Sequence, residues 1–410
     1  MTLTGLPRPL HRHACWSLLS LLLLMLGCGA EHPFSSVATE AHHSTSPGND
    51  LAALAASADG FRSAEASTAL VFPRDHGAHE DYRIEWWYLT ANLEDPNGEP
   101  YGAQWTLFRV ARKPSKESKQ EENPWQNSQI YMAHFAISTK NDHVSFQRYA
   151  RGGSHGGIRR AGSTATPFAA WLDDWELNST KGQTADLKAD DWLPLTVSAQ
   201  ARGYGLRLDL SSEQALVLQG DKGFSRKHHN GGGSHYYSHP FLNAQGELVI
   251  NGKSVAVSGQ AWLDREWSSQ FLQGDQSGWD WFALHLDSGE KLMLFQLRPT
   301  ADTASDASGF FRHGVLISPN GRTTELDSAA IALQPKSYGS VAGRNIPVRW
   351  QITLPELERS LEVEALHPEQ WMEVDFAYWE GYVTVRGASA GERGRGYLEM
   401  VGYPPNEGKQ

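Results

Sequence analysis

From about residue 68 onward the chain is a succession of short runs rich in β-branched and aromatic residues, each closed by a turn sequence. No run continues at a helical period. Arg83 to Glu94 and Tyr101 to Ala111 flank Asp95-Pro96-Asn97-Gly98, which reads as a turn. Further short strands are predicted at Ile130 to Ser138, Val144 to Ala150, Ala170 to Leu177, Leu193 to Ala201, Gly205 to Leu210 and Ala215 to Gln219. The run from Glu247 to Glu266 holds Asn251-Gly252 between apolar segments, and that dipeptide suits a type I′ hairpin because both central residues need positive φ. Trp279 to Asp287 and Lys291 to Arg298 flank Ser288-Gly289, and Gly314 to Ser318 and Thr323 to Leu326 flank Asn320-Gly321. Val348 to Leu354, Glu373 to Tyr378, Gly381 to Arg386 and Tyr397 to Tyr403 complete the predicted set.

Strands of this length joined by tight turns meander into antiparallel barrels. About 340 residues exceed what one small barrel uses, so the β region is expected to divide near residue 243, after the glycines at 231–233. The expected class is therefore all-β, with tandem antiparallel barrel domains over 68–243 and 244–410.

The two cysteines of the 410-residue chain both fall within its first 28 residues. Arg8 and Arg12 give a basic start, Ala14 to Leu26 is almost wholly apolar, and Gly27-Cys28-Gly29 follows, the order of a secretory signal. The apolar run is too short for a comfortable membrane span. Met25-Leu26-Gly27-Cys28 resembles a bacterial lipobox, in which residues 1–27 are removed and Cys28 is acylated. Plain secretion with a free thiol is the alternative. Residues 28–67, rich in Ala, Ser, His and Gly, then read as a flexible tether. A lipid anchor at Cys28 would place the protein in the bacterial cell envelope, facing the periplasm or the exterior, most naturally on the outer membrane.

A formal net charge of −11 without long basic runs excludes binding nucleic acid through a phosphate-neutralising face. What stands out is 15 Trp, several beside carboxylates on predicted strands. In Glu85-Trp86-Trp87-Tyr88, alternation puts Glu85 and Trp87 on one face and Trp86 and Tyr88 on the other. A carboxylate beside Trp on an inward face is desolvated, which raises its pKa; barrel packing with an ion-paired Glu is the plainer possibility. In His235-Tyr236-Tyr237-Ser238-His239, the residues His235, Tyr237 and His239 share a face. Histidines so spaced on a strand lie too far apart to share a metal easily, so acid/base or hydrogen-bonding work is the functional alternative to a solvated loop. In Trp262-Leu263-Asp264-Arg265-Glu266-Trp267, the residues Trp262, Asp264 and Glu266 share a face, followed by Trp279-Asp280-Trp281-Phe282. An acid flanked by Trp stays protonated near neutral pH and could protonate an alkene, with π-faces stabilising the cation. Pairing of Asp264 with Arg265 or a distant Arg is the structural alternative. Gly152-Gly153-Ser154-His155-Gly156 matches G-x-S-x-G, which would make Ser154 the nucleophile of a secreted hydrolase. That motif works on a strand-to-helix elbow, and no long helix is predicted after it.

These clusters, with Phe72-Pro73-Arg74-Asp75-His76-Gly77-Ala78-His79 and Trp171-Leu172-Asp173-Asp174-Trp175, resemble the bacterial family of carotenoid 1,2-hydratase (hydroxyneurosporene synthase) and the AttH-like lipocalin-like secreted proteins. The resemblance spans roughly residues 68 to 405 and implies two lipocalin-like β-barrel domains in tandem. It implies Asp264 as the acid that protonates a terminal double bond, assisted by His235 with Tyr237 and Trp262 as the neighbouring aromatics. The hydratases carry Trp and Tyr, respectively, at those last two positions. The expected function is acid-catalysed hydration, or a related isomerisation or cyclisation, of a C=C bond in an apolar polyene or isoprenoid. Glu85, Trp87, Glu266 and Trp281 are expected to bind that substrate. Such a hydration needs no organic cofactor and no metal, and no obligate protein partner is inferred. A non-catalytic lipid-binding envelope lipoprotein is the rival expectation.

Overall fold

The computed structural model describes residues 58–114, 127–155, 158–181, 192–300, 309–388 and 391–406. Cys28, the expected signal and most of the expected tether lie outside the described residues. The β body starts earlier than residue 68. The Arg62 N–H donates to the Asp81 carbonyl at 2.9 Å and the Ser269 hydroxyl donates to the Arg62 carbonyl at 2.5 Å, tying this segment to the fold.

The chain is all-β, in two antiparallel sheets that form a barrel and a half-barrel with a lipocalin-like fold. The first sheet contains β1 (Ile84–Glu94), β2 (Pro100–Ala111), β3 (Gln129–Ser138), β4 (His143–Arg151), β5 (Gly153–His155), β6 (Ile158–Ala165), β7 (Phe168–Leu172) and β8 (Trp175–Ser179). It continues through β9 (Leu195–Ala201), β10 (Tyr204–Ser211), β11 (Val217–Leu218), β12 (Phe224–Arg226), β13 (Gly233–Ile250) and β14 (Lys253–Ser268). Its main path runs β4-β3-β2-β1-β14-β13-β10-β9-β8-β7-β6-β5, and it curls until β4 touches β6 and β7. The second sheet contains β15 (Gln276–Leu286), β16 (Lys291–Pro299), β17 (Phe311–Ile317), β18 (Thr323–Leu326), β19 (Ala332–Val341), β20 (Arg344–Leu354), β21 (Arg359–Ala365), β22 (Trp371–Met372), β23 (Tyr378–Gly387) and β24 (Arg393–Val401). Its order is β18-β17-β16-β15-β24-β23-β21-β20-β19, with β22 beside β23.

Residue 243 does not separate the sheets. It lies inside β13, which pairs with β14 along nearly its whole length, and the chain passes to the second sheet between Ser268 and Gln276. The glycines at 231–233 suggested a joint but lead into this long strand. The Asn251-Gly252 turn is as expected, with φ of 52° and 76°. The predicted strand Ala170 to Leu177 is instead two, β7 and β8, because Asp173 turns the chain with φ of 54°. Glu373 to Tyr378 forms no strand over its length, whereas β19 and β21 were not expected.

The centre of the first sheet, β13-β14-β1-β2, is buried on both faces. One face, with Trp87, Leu89, Leu263 and Trp267, closes the barrel core. The other, with Tyr88, Tyr236 and Trp262, packs against Trp281, Phe295, Tyr382 and Tyr397 of the second sheet. That double burial is why β1 is buried along nearly its whole length, with aromatic and aliphatic side chains on both faces rather than a simple alternation. Asn92 ties the sheets together by donating to the Gly396 carbonyl at 2.9 Å.

Candidate active site

Between the two sheets lies a cavity of about 250 Å³, walled by Trp86, Phe108, Phe271, Trp279, Trp281 and Phe295. Tyr88, Lys227, Tyr236, Asp264, Glu266 and Glu399 bring polar atoms to it. The strand ladders explain how these side chains meet. On β1 and β14, Tyr88 is the cross-strand partner of Asp264 and Trp86 that of Glu266. On β13 and β14, Ser238 faces Asp264 and Tyr236 faces Glu266. All therefore project from one face, the face turned toward the second sheet.

Asp264 is 2% exposed. Its Oδ1 accepts from the Ser238 hydroxyl at 2.5 Å and from Trp262 Nε1 at 2.8 Å. Burial pushes its pKa up to about 7, against the lowering effect of those donors, and the nearby Glu266 carboxylate adds to the rise. Among the described residues no Arg pairs with it: Arg265 points to the opposite face and pairs with Glu85. Glu266 accepts from Ser234 and forms an ion pair with Lys227 at 2.8 Å. The Lys227 ammonium lies 4.2 Å from the Phe295 ring centroid and 5.0 Å from that of Tyr236. Trp281 Nε1 donates to the Tyr236 hydroxyl at 3.2 Å.

On the far wall, Glu399 accepts from Trp279 Nε1 at 2.6 Å. Glu380, its cross-strand partner on β23, accepts from the Tyr88 hydroxyl at 2.6 Å. Burial raises the pKa of both carboxyls, and for Glu380 the neighbouring Glu399 raises it further.

Of the residues expected from sequence, Asp264, Glu266 and Trp281 line this cavity, and Trp262 supports Asp264 from behind. Glu85, Trp87, His235 and Tyr237 lie on the other face of the sheet. Glu85 does not carry a raised pKa. Burial opposes its ionisation, but Arg109 and Arg265, with His79, hold its carboxyl well below the ordinary range. Trp87 donates to the His76 carbonyl at 3.0 Å, and the Tyr237 hydroxyl bonds His76 Nδ1 at 2.8 Å. These contacts close one end of the barrel core over the segment from Phe72 to His79. His235 is 1% exposed and faces a different cleft, beside Asp75, His79 and Trp267. Burial first, then His79 and Arg62, push its pKa down to about 4, so it is neutral at pH 7. His235 and Asp264 therefore border different cavities, on opposite faces of the sheet.

Sequence reasoning missed Tyr88, Tyr236, Ser238, Lys227, Glu380 and Glu399. Tyr236 and Ser238 are the alternate face of the same motif that supplied His235. Among the described residues no group of three or more His, Cys, Asp or Glu is placed to hold a metal. Gly153 and Ser154 lie on β5, paired with β6, rather than on a strand-to-helix elbow, while Gly156 is outside the described residues.

Fold and site together define a lipocalin-like two-sheet protein with a largely apolar cavity between the sheets, lined by acids. Among solved structures, an AttH-type protein from Nitrosomonas europaea is 32% identical, with a TM-score of 0.70, over 84% of this chain and 100% of that chain. A kievitone hydratase from Nectria haematococca shares the fold at 16% identity and a TM-score of 0.56, over 84% of this chain and 98% of that one. No match is found among curated proteins. The family model described as AttH-like matches residues 63–403, and the chain belongs to the AttH-like family.

Proposed function

We propose that this AttH-like protein is an enzyme that protonates a C=C bond of an apolar polyene or isoprenoid, leading to hydration or a related isomerisation or cyclisation, as in the carotenoid 1,2-hydratases it resembles. The observation that carries the proposal is Asp264: a buried carboxyl with no cationic partner among the described residues, half protonated near neutral pH, in the wall of an aromatic cavity. In the reaction the Asp264 proton goes to one alkene carbon and the π electrons form the new C–H bond. The cation left on the neighbouring carbon lies among the faces of Trp86, Trp281 and Phe271. Ser238 and Trp262, already aimed at Oδ1, stabilise the carboxylate as it forms and need no reorganisation at that moment. Water attacks the cation to give an alcohol; loss of a different proton gives an isomer. The shared fold of kievitone hydratase supports hydration as a reaction this scaffold can host.

The test is direct. Ligands extracted from purified protein are identified by mass spectrometry and returned to it in ¹⁸O-labelled water. Hydration adds the mass of one labelled water with wild-type protein and not with Asp264→Asn. The apolar cavity also suits a carrier, and recovered lipid that never changes mass would establish that instead.

We further propose that the protein is held on the bacterial envelope through an acylated Cys28. Metabolic labelling with a fatty-acid probe, lost in Cys28→Ala, checks this.

A further inference from the structure

Resting on the assignment of Asp264 as the acid, we propose that Glu399, held against Glu380 across the β23–β24 ladder, is the base of the same cavity and takes the proton from the water that adds to the alkene. Asp264 and Glu399 approach the cavity from different sheets, so a molecule between the sheets meets a carboxyl from each. The Tyr88 phenol links the two centres: it is the cross-strand partner of Asp264, and its hydroxyl donates to Glu380. Glu380 Oε2 is buried without a hydrogen-bond partner among the described residues. An acceptor in that state either leaves a polar atom unsatisfied or carries a proton of its own.

Two desolvated carboxyls side by side resist ionising together: burial and the neighbouring Glu399 hold the Glu380 carboxyl well above the ordinary range, while burial raises Glu399 to about 7, so Glu399 is the member that gains and loses a proton near neutral pH. The groups acting on the pair are Tyr88 from β1, Tyr378 from β23, Trp279 from β15 and Glu266 from β14. None of these is a cation, and the ammonium that lines the cavity, Lys227, is paired with Glu266, so the pair stays basic enough to accept a proton. Near neutral pH a share of the molecules holds Asp264 protonated and Glu399 ionised at once, and that form has the division of labour a hydration needs.

Dodecyl vinyl ether is a suitable probe because it hydrolyses only after protonation at carbon. The Asp264 proton goes to the terminal CH₂, leaving an oxocarbenium ion. Water adds to that ion while its proton passes to Glu399, and the hemiacetal splits into acetaldehyde and dodecanol. Proton exchange with solvent then restores both carboxyls.

The structure also supplies separate reporters, since Trp279 Nε1 bonds Glu399 and Trp262 Nε1 bonds Asp264. In the full chain with ¹⁵N-labelled indoles, assigned through Trp279→Phe and Trp262→Phe, the Trp279 signal should titrate near neutral pH. Its titration should vanish in Glu399→Gln and move to lower pH in Glu380→Gln, while that of Trp262 persists in both. Glu399→Gln should lower kcat on dodecyl vinyl ether about 100-fold with little change in KM. A Trp279 titration unchanged in Glu399→Gln overturns the proposal. So does an active Glu399→Gln beside an inactive Asp264→Asn, which leaves the acid assignment standing. Wild-type protein no faster than Asp264→Asn overturns the acid assignment itself.

Discussion

Replacing Asp264 by Asn should stabilise the protein at alkaline pH while removing its chemistry. The folded state holds the Asp264 proton up to about pH 7, whereas the ordinary value for such a group is 3.8. The stability that goes with that proton is fully present below the unfolded value and is lost as pH rises through the folded one. Each pH unit over which only the folded state is protonated is worth about 1.4 kcal/mol. From about pH 5 to pH 8 the wild type should therefore lose about 2 to 3 kcal/mol relative to the variant. Asn keeps an oxygen for the Ser238 and Trp262 donors and does not titrate, so it escapes that loss. Glu380 and Glu399 titrate in both proteins and largely cancel in the difference. The assay is urea unfolding of both proteins at a series of pH values, followed by tryptophan fluorescence. A difference in unfolding free energy that stays constant from pH 5 to pH 8 would refute the placement of an unpaired buried acid at this position.

Glu85→Gln should cost about 3 to 5 kcal/mol in urea unfolding, since Arg109 and Arg265 lose their buried counter-charge. Trp262→Phe removes one donor to the Asp264 carboxylate and should raise the pKa seen in the pH–rate profile by about one unit, moving the alkaline limb to higher pH. Gly252→Val forces a β-branched residue to a φ of 76° in the β13–β14 turn, and thermal unfolding should show a loss of about 1 to 2 kcal/mol.

Much of the fold is legible in the sequence because turn chemistry is local. Asn251-Gly252 takes the two positive φ values that a type I′ turn requires, and Asp95 closes its own turn by accepting from the Asn97 and Glu99 amides. Edge strands are less legible. β19 exposes much of its length, so no apolar alternation marks it. At the site, the alternation that groups Asp264 with Glu266 and Trp262 is local and was readable. Which face looks toward the cavity is not, because that depends on register with distant strands. Tyr236 and Ser238, not His235 and Tyr237, face the acid because Ser238 pairs with Asp264 across the ladder. Glu380 and Glu399 become a pair only through the β23–β24 register.

Hydrolysis of dodecyl vinyl ether in D₂O tests the central claim most directly, with wild-type protein compared to Asp264→Asn and the acetaldehyde product analysed by mass spectrometry. Wild-type protein should release acetaldehyde carrying one solvent deuterium in its methyl group at least about 100-fold faster than the variant. Equal rates for the two proteins would contradict it.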